Sequence, residues 1–101
     1  MGMGNLAKLA QQMQADMARV EQELRSLQVE GSAGGGVVKA VVTGKHEIVS
    51  VTIDPSVVDP EDVDMLQDLV VAAVGDALAS ARSMAEEKLS RVTGGLQIPG
   101  M

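Results

Sequence analysis

The chain has 101 residues, a formal net charge of −6, no cysteine and no Phe, Tyr or Trp. That length accommodates one domain and not two, and the missing cysteines exclude disulfides, thiolate metal sites and cysteine nucleophiles. An apolar set of Val, Leu, Ala, Met and Ile builds a core from small pieces, so extra burial between subunits is expected to matter. The negative charge argues against a nucleic-acid partner until its distribution is considered. Residues 1–53 carry five cations and five anions, and residues 71–101 carry three of each. The whole excess lies in Asp54, Asp59, Glu61, Asp62, Asp64 and Asp68, so the rest of the chain is neutral.

Residues 6 to about 29 read as one amphipathic helix capped by Asn5, with Leu6, Leu9, Met13, Met17, Val20, Leu24 and Leu27 recurring at steps of three and four. Leu6, Met13, Val20 and Leu27 are spaced by seven, but Asp16 and Glu23 stand where a coiled coil would need apolar side chains. Such a helix is roughly 35 Å long, so one end is expected to project or to meet another subunit. The glycine-rich stretch Glu30 to Gly36 ends helices and permits a turn or a loose edge strand, and residues 27–34 could supply a third strand.

Val37–Thr43 and Glu47–Asp54 are β-branched runs separated by Gly44-Lys45, which predicts a hairpin with a type II′ turn. That register sets Val42 opposite Glu47, Ala40 opposite Val49 and Val38 opposite Val51. One face, with Val38, Ala40, Val42, Val49, Val51 and Ile53, is apolar and suited to cover by helices. The other carries Lys39, Thr43, His46, Ser50 and Thr52 among Val37, Val41 and Ile48. Asp59-Pro60-Glu61-Asp62 then opens a second helix, with Asp59 as N-cap, Pro60 at the first helical position and acids complementing the helix dipole. Its stripe is Val63, Leu66, Val70, Ala73, Ala77, Ala81 and Met84, flanked by Val74 and Leu78, and Gly94-Gly95 ends it. Residues 1–5 and 95–101 read as flexible tails of a single domain spanning 1–101.

Enzyme chemistry finds no support. The lone His46 lies in the hairpin turn, where a solvated histidine is the simpler reading, and without cysteine a metal site would have carboxylates alone. Gly31–Gly36 has phosphate-loop spacing, but Val37 and Val38 stand where Lys and Ser or Thr belong. The acidic block lacks the spacing and central glycine of a calcium loop, and no Gly-x-Ser-x-Gly marks a nucleophile. A protein without catalytic residues, metal or other cofactor, or small-molecule substrate is the expectation. No basic and apolar leader opens the chain and no stretch approaches a membrane span, so a soluble cytoplasmic protein with no membrane partner is expected.

Two surfaces qualify for binding. Opposite its apolar stripe the first helix carries Lys8, Gln12, Ala15, Arg19, Gln22 and Ser26, and its two cations, about 16 Å apart, could follow a phosphate backbone. An ordinary solvated face is the competing reading. The second surface is the end of the last helix, where Lys88 and Arg91 continue the apolar stripe and Arg82 points outward. These either snorkel and satisfy the helix dipole or form a projecting basic tip. With no aromatic ring to stack on bases, a nucleic-acid partner would be duplex and held through phosphates.

Several segments together carry a resemblance. Gly4-Asn5-Leu6, Lys8 and Ala10 to Gln14, then Val29 to Gly34 leading into Val37-Val38-Lys39, are similar to the YbaB/EbfC nucleoid-associated proteins. So are Val51 to Pro55, Met65 to Val70 with Ala72-Ala73, and Gly95 to Pro99, in the same order over nearly the whole chain. The resemblance implies an α+β protomer of order α-β-β-β-α with a small antiparallel sheet and two long helices, intertwined with a second copy into a tweezer-like homodimer. It further implies that projecting helices grip double-stranded DNA with limited sequence preference, in the nucleoid, for chromosome organisation. By position, Lys8, Arg19, Arg25, Arg82, Lys88 and Arg91 are the expected DNA contacts. A dimeric protein-interaction module that uses its acidic block and Met-containing helices is the alternative.

Overall fold

A computed structural model describes residues 3–93. In chain order it contains α1 (Met3–Ser26), β1 (Gln28–Ala33), β2 (Val38–Thr43), β3 (Ile48–Ile53), a short 3-10 turn (Pro55–Val57) and α2 (Val63–Thr93). The expected helix end at Gly94-Gly95 and the C-terminal tail lie outside the described residues.

The region 27–34 supplies a third strand, Gln28–Ala33. β1 pairs antiparallel with β2 from Gln28 opposite Thr43 to Ala33 opposite Val38, and β2 pairs antiparallel with β3, so the sheet order is β1-β2-β3. Gly34, Gly35 and Gly36 take φ values of 64°, 74° and 98°, a left-handed run that side chains would resist, and it closes the first hairpin. The first helix ends at Ser26, earlier than the expected 29, because Val29 is needed as a buried strand residue. Its start is earlier too: residues 3–5, expected to belong to a flexible tail with Asn5 as the helix cap, are helical.

The second hairpin departs from the predicted register by two residues at Val38 and Ala40 and by one at Val42. Val38 faces Ile53 and Ala40 faces Val51, while a bulge between Val41 and Val42 brings Val42 opposite Ile48. A three-residue loop, Gly44-Lys45-His46, replaces the expected two-residue one, and His46 rather than Gly44 takes the left-handed backbone, at φ 68°. The Thr43 N–H donates to the Glu47 carbonyl at 2.8 Å and the His46 N–H to the Thr43 carbonyl at 2.9 Å. The Thr43 hydroxyl oxygen accepts from the N–H groups of Lys45 and Glu47, so the side chain holds the loop where glycine was expected to do so. Gly44 serves another purpose. Its N–H donates to the Leu24 carbonyl at 2.9 Å and the Leu27 carbonyl at 3.2 Å, satisfying the end of α1. A Cβ there would stand 2.8 Å from the Leu24 oxygen.

α2 begins at Val63, because Asp62 rather than Asp59 supplies the cap: its Oδ1 accepts from the Met65 N–H at 3.2 Å. Asp59 instead closes the preceding turn, accepting from the Glu61 N–H at 2.9 Å. The helix lies across β1 and β2. Ala73, Ala77 and Ala81 are fully buried against Val29, Val38, Ala40 and Val42. Leu66, Val70, Val74 and Leu78 pack around them, whereas Val63 and Met84, expected on the same stripe, are exposed. The helix and sheet approach backbone to backbone: a Cβ on Gly31 would be 2.6 Å from the Ala73 carbonyl oxygen and would collide with the Ala77 backbone nitrogen. Asp76 adds to this packing by accepting from the Ser32 N–H at 3.1 Å on the outer edge of β1.

Two parts of the chain lie outside this packing. β3 is uncovered, with Ile48, Val49 and Val51 at 58%, 48% and 39% exposure, although the predicted pattern placed Val49 and Val51 under a helix. Beyond the sheet, the C-terminal half of α1 packs against the end of α2 through a small second core of Val20, Leu24 and Ala85, supported by Leu27, Leu89 and Val92. The start of α1 extends beyond this second core, and Leu6 and Leu9 are exposed there. The Cα envelope measures 72 × 29 × 16 Å with a radius of gyration of 19.5 Å, well above the roughly 13 Å of a compact chain this size. No helix of the described residues is long and apolar enough to cross a membrane.

Candidate nucleic-acid interface

Where α1 and α2 run side by side, a cleft forms between them that is lined by Asp16, Arg19, Val20, Glu23, Lys88, Arg91 and Val92. Three of the six predicted cations therefore converge. Arg19 comes from α1, and Lys88 and Arg91 stand one turn apart on α2. Packing of Val20 against the last turns of α2 is what brings them together. Lys8, Arg25 and Arg82 are exposed but do not line this cleft.

The converging cations are not bare. Arg19 Nη1 lies 3.3 Å from Asp16 Oδ1 and its Nε 3.9 Å from Glu23 Oε1. Lys88 Nζ lies 3.4 Å from Glu23 Oε2, and Arg91 Nη2 lies 2.8 Å from Glu87 Oε1. Three carboxylates thus offset three cations. The pairs within one helix were readable from their spacing of three or four residues. The Glu23–Lys88 pair spans 65 positions of sequence and needs the antiparallel helix packing to exist. Sequence reasoning named the cations and missed the acids that hold them.

On the other flank of α1 a broader, more apolar groove of about 620 Å³ is lined by Met13, Met17, Ala18, Leu24 and Leu89. Glu21 and Lys45 also line it and form an ion pair at 2.9 Å, tying the second hairpin to α1. The hydrogen bond from Lys45, then its charge and that of Arg25, hold the Glu21 carboxyl below its usual range. Hydrogen bonding from Ser56, whose N–H lies 2.9 Å from Oδ1, lowers Asp54 in the same way at the exit from the sheet. Among the described residues no group of three or more His, Asp or Glu side chains is placed to hold a metal ion.

The α-β-β-β-α arrangement of two long helices and a three-stranded antiparallel sheet is a fold found elsewhere. It is shared with the crystal structure of an uncharacterized protein from Helicobacter pylori, at a TM-score of 0.72 and 23% identity over 95% of this chain and 97% of that one. The chain belongs to the YbaB/EbfC DNA-binding family, whose pattern matches residues 1–96. Relatives named nucleoid-associated protein include one from Acetivibrio thermocellus, 55% identical over 96% of this chain and 87% of the relative. Another, from Moorella thermoacetica, is 50% identical over 99% of both chains.

Proposed function

We propose that this protein is a nucleoid-associated protein that grips double-stranded DNA as a homodimer through its projecting helices, with limited sequence preference. It would act in the cytoplasm on the nucleoid, in chromosome organisation and gene regulation, without catalysis or a small-molecule substrate. The observation that carries the reading is the convergence of Arg19, Lys88 and Arg91 from two helices on one cleft, in a chain of a DNA-binding family. Lys8, Arg25 and Arg82 are assigned to flanking phosphate contacts on the same two helices. Guanidinium and ammonium groups bind phosphate without reading bases, and the chain has no aromatic ring for stacking on a single strand.

The homodimer is supported by β3. Its apolar side chains are exposed and one of its edges is unpaired in the protomer, a combination that invites association. The apolar groove beside Met13 and Met17 favours the second reading, a dimeric module that binds another protein and not DNA.

Fluorescence anisotropy of a dye-labelled duplex, titrated with protein at several salt concentrations, tests the proposal. A log-linear fall of affinity with salt is expected, its slope counting the phosphates engaged. Lys88→Gln with Arg91→Gln should weaken binding about tenfold or more at low salt and make the slope shallower by roughly one for each phosphate no longer neutralised. Circular dichroism should be unchanged, because both side chains lie on the surface of α2. Unaltered affinity would overturn the assignment to the helix ends. Absence of binding by a folded dimer at low salt would favour the protein-interaction reading.

A further inference from the structure

The carboxylates in the cleft are unexpected in a DNA-binding surface, since a phosphate-binding site gains nothing from built-in neutralisation. Among the described residues Glu23 is the carboxylate that joins cations of both helices, with Oε1 toward Arg19 on α1 and Oε2 toward Lys88 on α2. Asp16 and Glu87 pair only within their own helices. The side chain of Glu23 is half-exposed, at 46%, and its distances of 3.9 and 3.4 Å are long for charge-assisted hydrogen bonds. A carboxylate with two oxygens and one negative charge, set between an arginine and a lysine, has the same charge and oxygen pair as a phosphodiester.

Resting on the DNA reading, we propose that Glu23 occupies the position of a backbone phosphate and competes with DNA for Arg19 and Lys88, making it an affinity-setting residue of the interface. Exposed ion pairs at such distances are weak, so the side chain swings out readily and costs the complex little. It nonetheless stays nearby as a negative charge beside the incoming phosphate. The result is an interface that releases DNA more easily than its count of cations implies. Unbound protein also presents a neutral cleft to other polyanions.

Glu23→Gln tests this against wild type in the same anisotropy titration. Its affinity for duplex should rise about three- to tenfold at low salt, with a steeper salt dependence as Lys88 becomes available and Arg19 keeps only Asp16 as its partner. Glu21→Gln is the control: it makes the same change in net charge on the same helix, but its carboxylate pairs with Lys45 on the opposite flank. Its effect should stay within about twofold, because among the proposed contacts its charge acts on Arg25 alone, at the flank of the interface. Glu23→Asp retains the charge but withdraws it by one methylene, so it should tighten binding by a smaller factor. This variant keeps the test decisive if Gln loosens the helix pair. Wild-type binding with unchanged or weaker affinity in both Glu23 variants overturns the Glu23 assignment alone, as does an equal gain in Glu21→Gln. Failure of wild type and every variant to bind overturns the DNA reading itself.

Discussion

The sheet half of the protein and the helical arm obey different packing rules. In the sheet half, α2 presents Ala73, Ala77 and Ala81 to Gly31, Val38, Ala40 and Val42, and these residues are essentially removed from water. Few large side chains are involved, and the burial comes from two backbones approaching closely. In the arm, by contrast, α1 and the end of α2 are joined by a small core of Val20, Leu24 and Ala85 and by the Glu23–Lys88 pair, and most of the described side chains of α1 are exposed. Small residues in a tight fit make a rigid base from little apolar mass. Larger but sparse residues make an extended surface that remains available for partners. β3 belongs by topology to the first region and by exposure to the second.

The sharpest way to break this contrast is Gly31→Val. Its side chain would meet the backbone of α2 at Ala73 and Ala77, which cannot move aside without lifting the helix. Such overpacking should cost about 3 kcal/mol or more, a large share of the roughly 5–15 kcal/mol that holds a domain this size. A urea titration followed by circular dichroism measures it, and an unmoved midpoint would mean that helix and sheet are not closely packed. Val51→Lys probes the other side of the contrast. Because Val51 is 39% exposed, the substitution should leave helix content intact but convert the proposed dimer into a monomer in sedimentation velocity. A stable dimer from this variant would move the subunit seam away from β3.

The smallest effect concerns the tie between the second hairpin and α1. Lys45 depresses the pKa of Glu21 below its ordinary 4.5 in the folded protein. Proton binding to Glu21 is therefore weaker folded than unfolded, so the ion pair stabilises the fold above about pH 4.5, and this stabilisation disappears as the pH falls through the lower folded value. Glu21→Gln should show a slightly lower urea midpoint than wild type near neutral pH. The difference should close in acid as wild type protonates. A gap that persists in acid would mean that the ion pair is not its source.

Much of the sheet half could be read from the sequence, because period-two β-branched runs and a four-residue alanine repeat are local signals. The hairpin was visible in Val37–Thr43 and Glu47–Asp54, but its register was not. Gly44 fits a tight turn by residue type, whereas the structure uses it for the approach of Leu24 and lets His46 take the left-handed backbone. Asp59 and Asp62 are both competent helix caps, and three residues of helix depend on which is used. β1 was only half legible, since Gly31, Ser32 and Ala33 have little strand preference and are held there by pairing with β2 and packing against α2. At the candidate interface the cations could be named from helical geometry. The carboxylate across from Lys88 could not, since Glu23 reaches it only through tertiary packing.

The closeness of Gly31 to Ala77 has a mechanical consequence for the distant end of the molecule. From Ala77 to Arg91 is 14 residues of uninterrupted helix, about 21 Å at the usual rise. A side chain added at Gly31 would lift α2 at that point, and the helix would tilt about its remaining contacts at Ala81 and Ala85. A tilt of about 5° displaces one end of that length by about 2 Å relative to the other, roughly the difference between reaching a phosphate oxygen and missing it. The aim of Lys88 and Arg91 therefore depends on the absence of a methyl group some four helical turns away as well as on the packing of Val20 beside them.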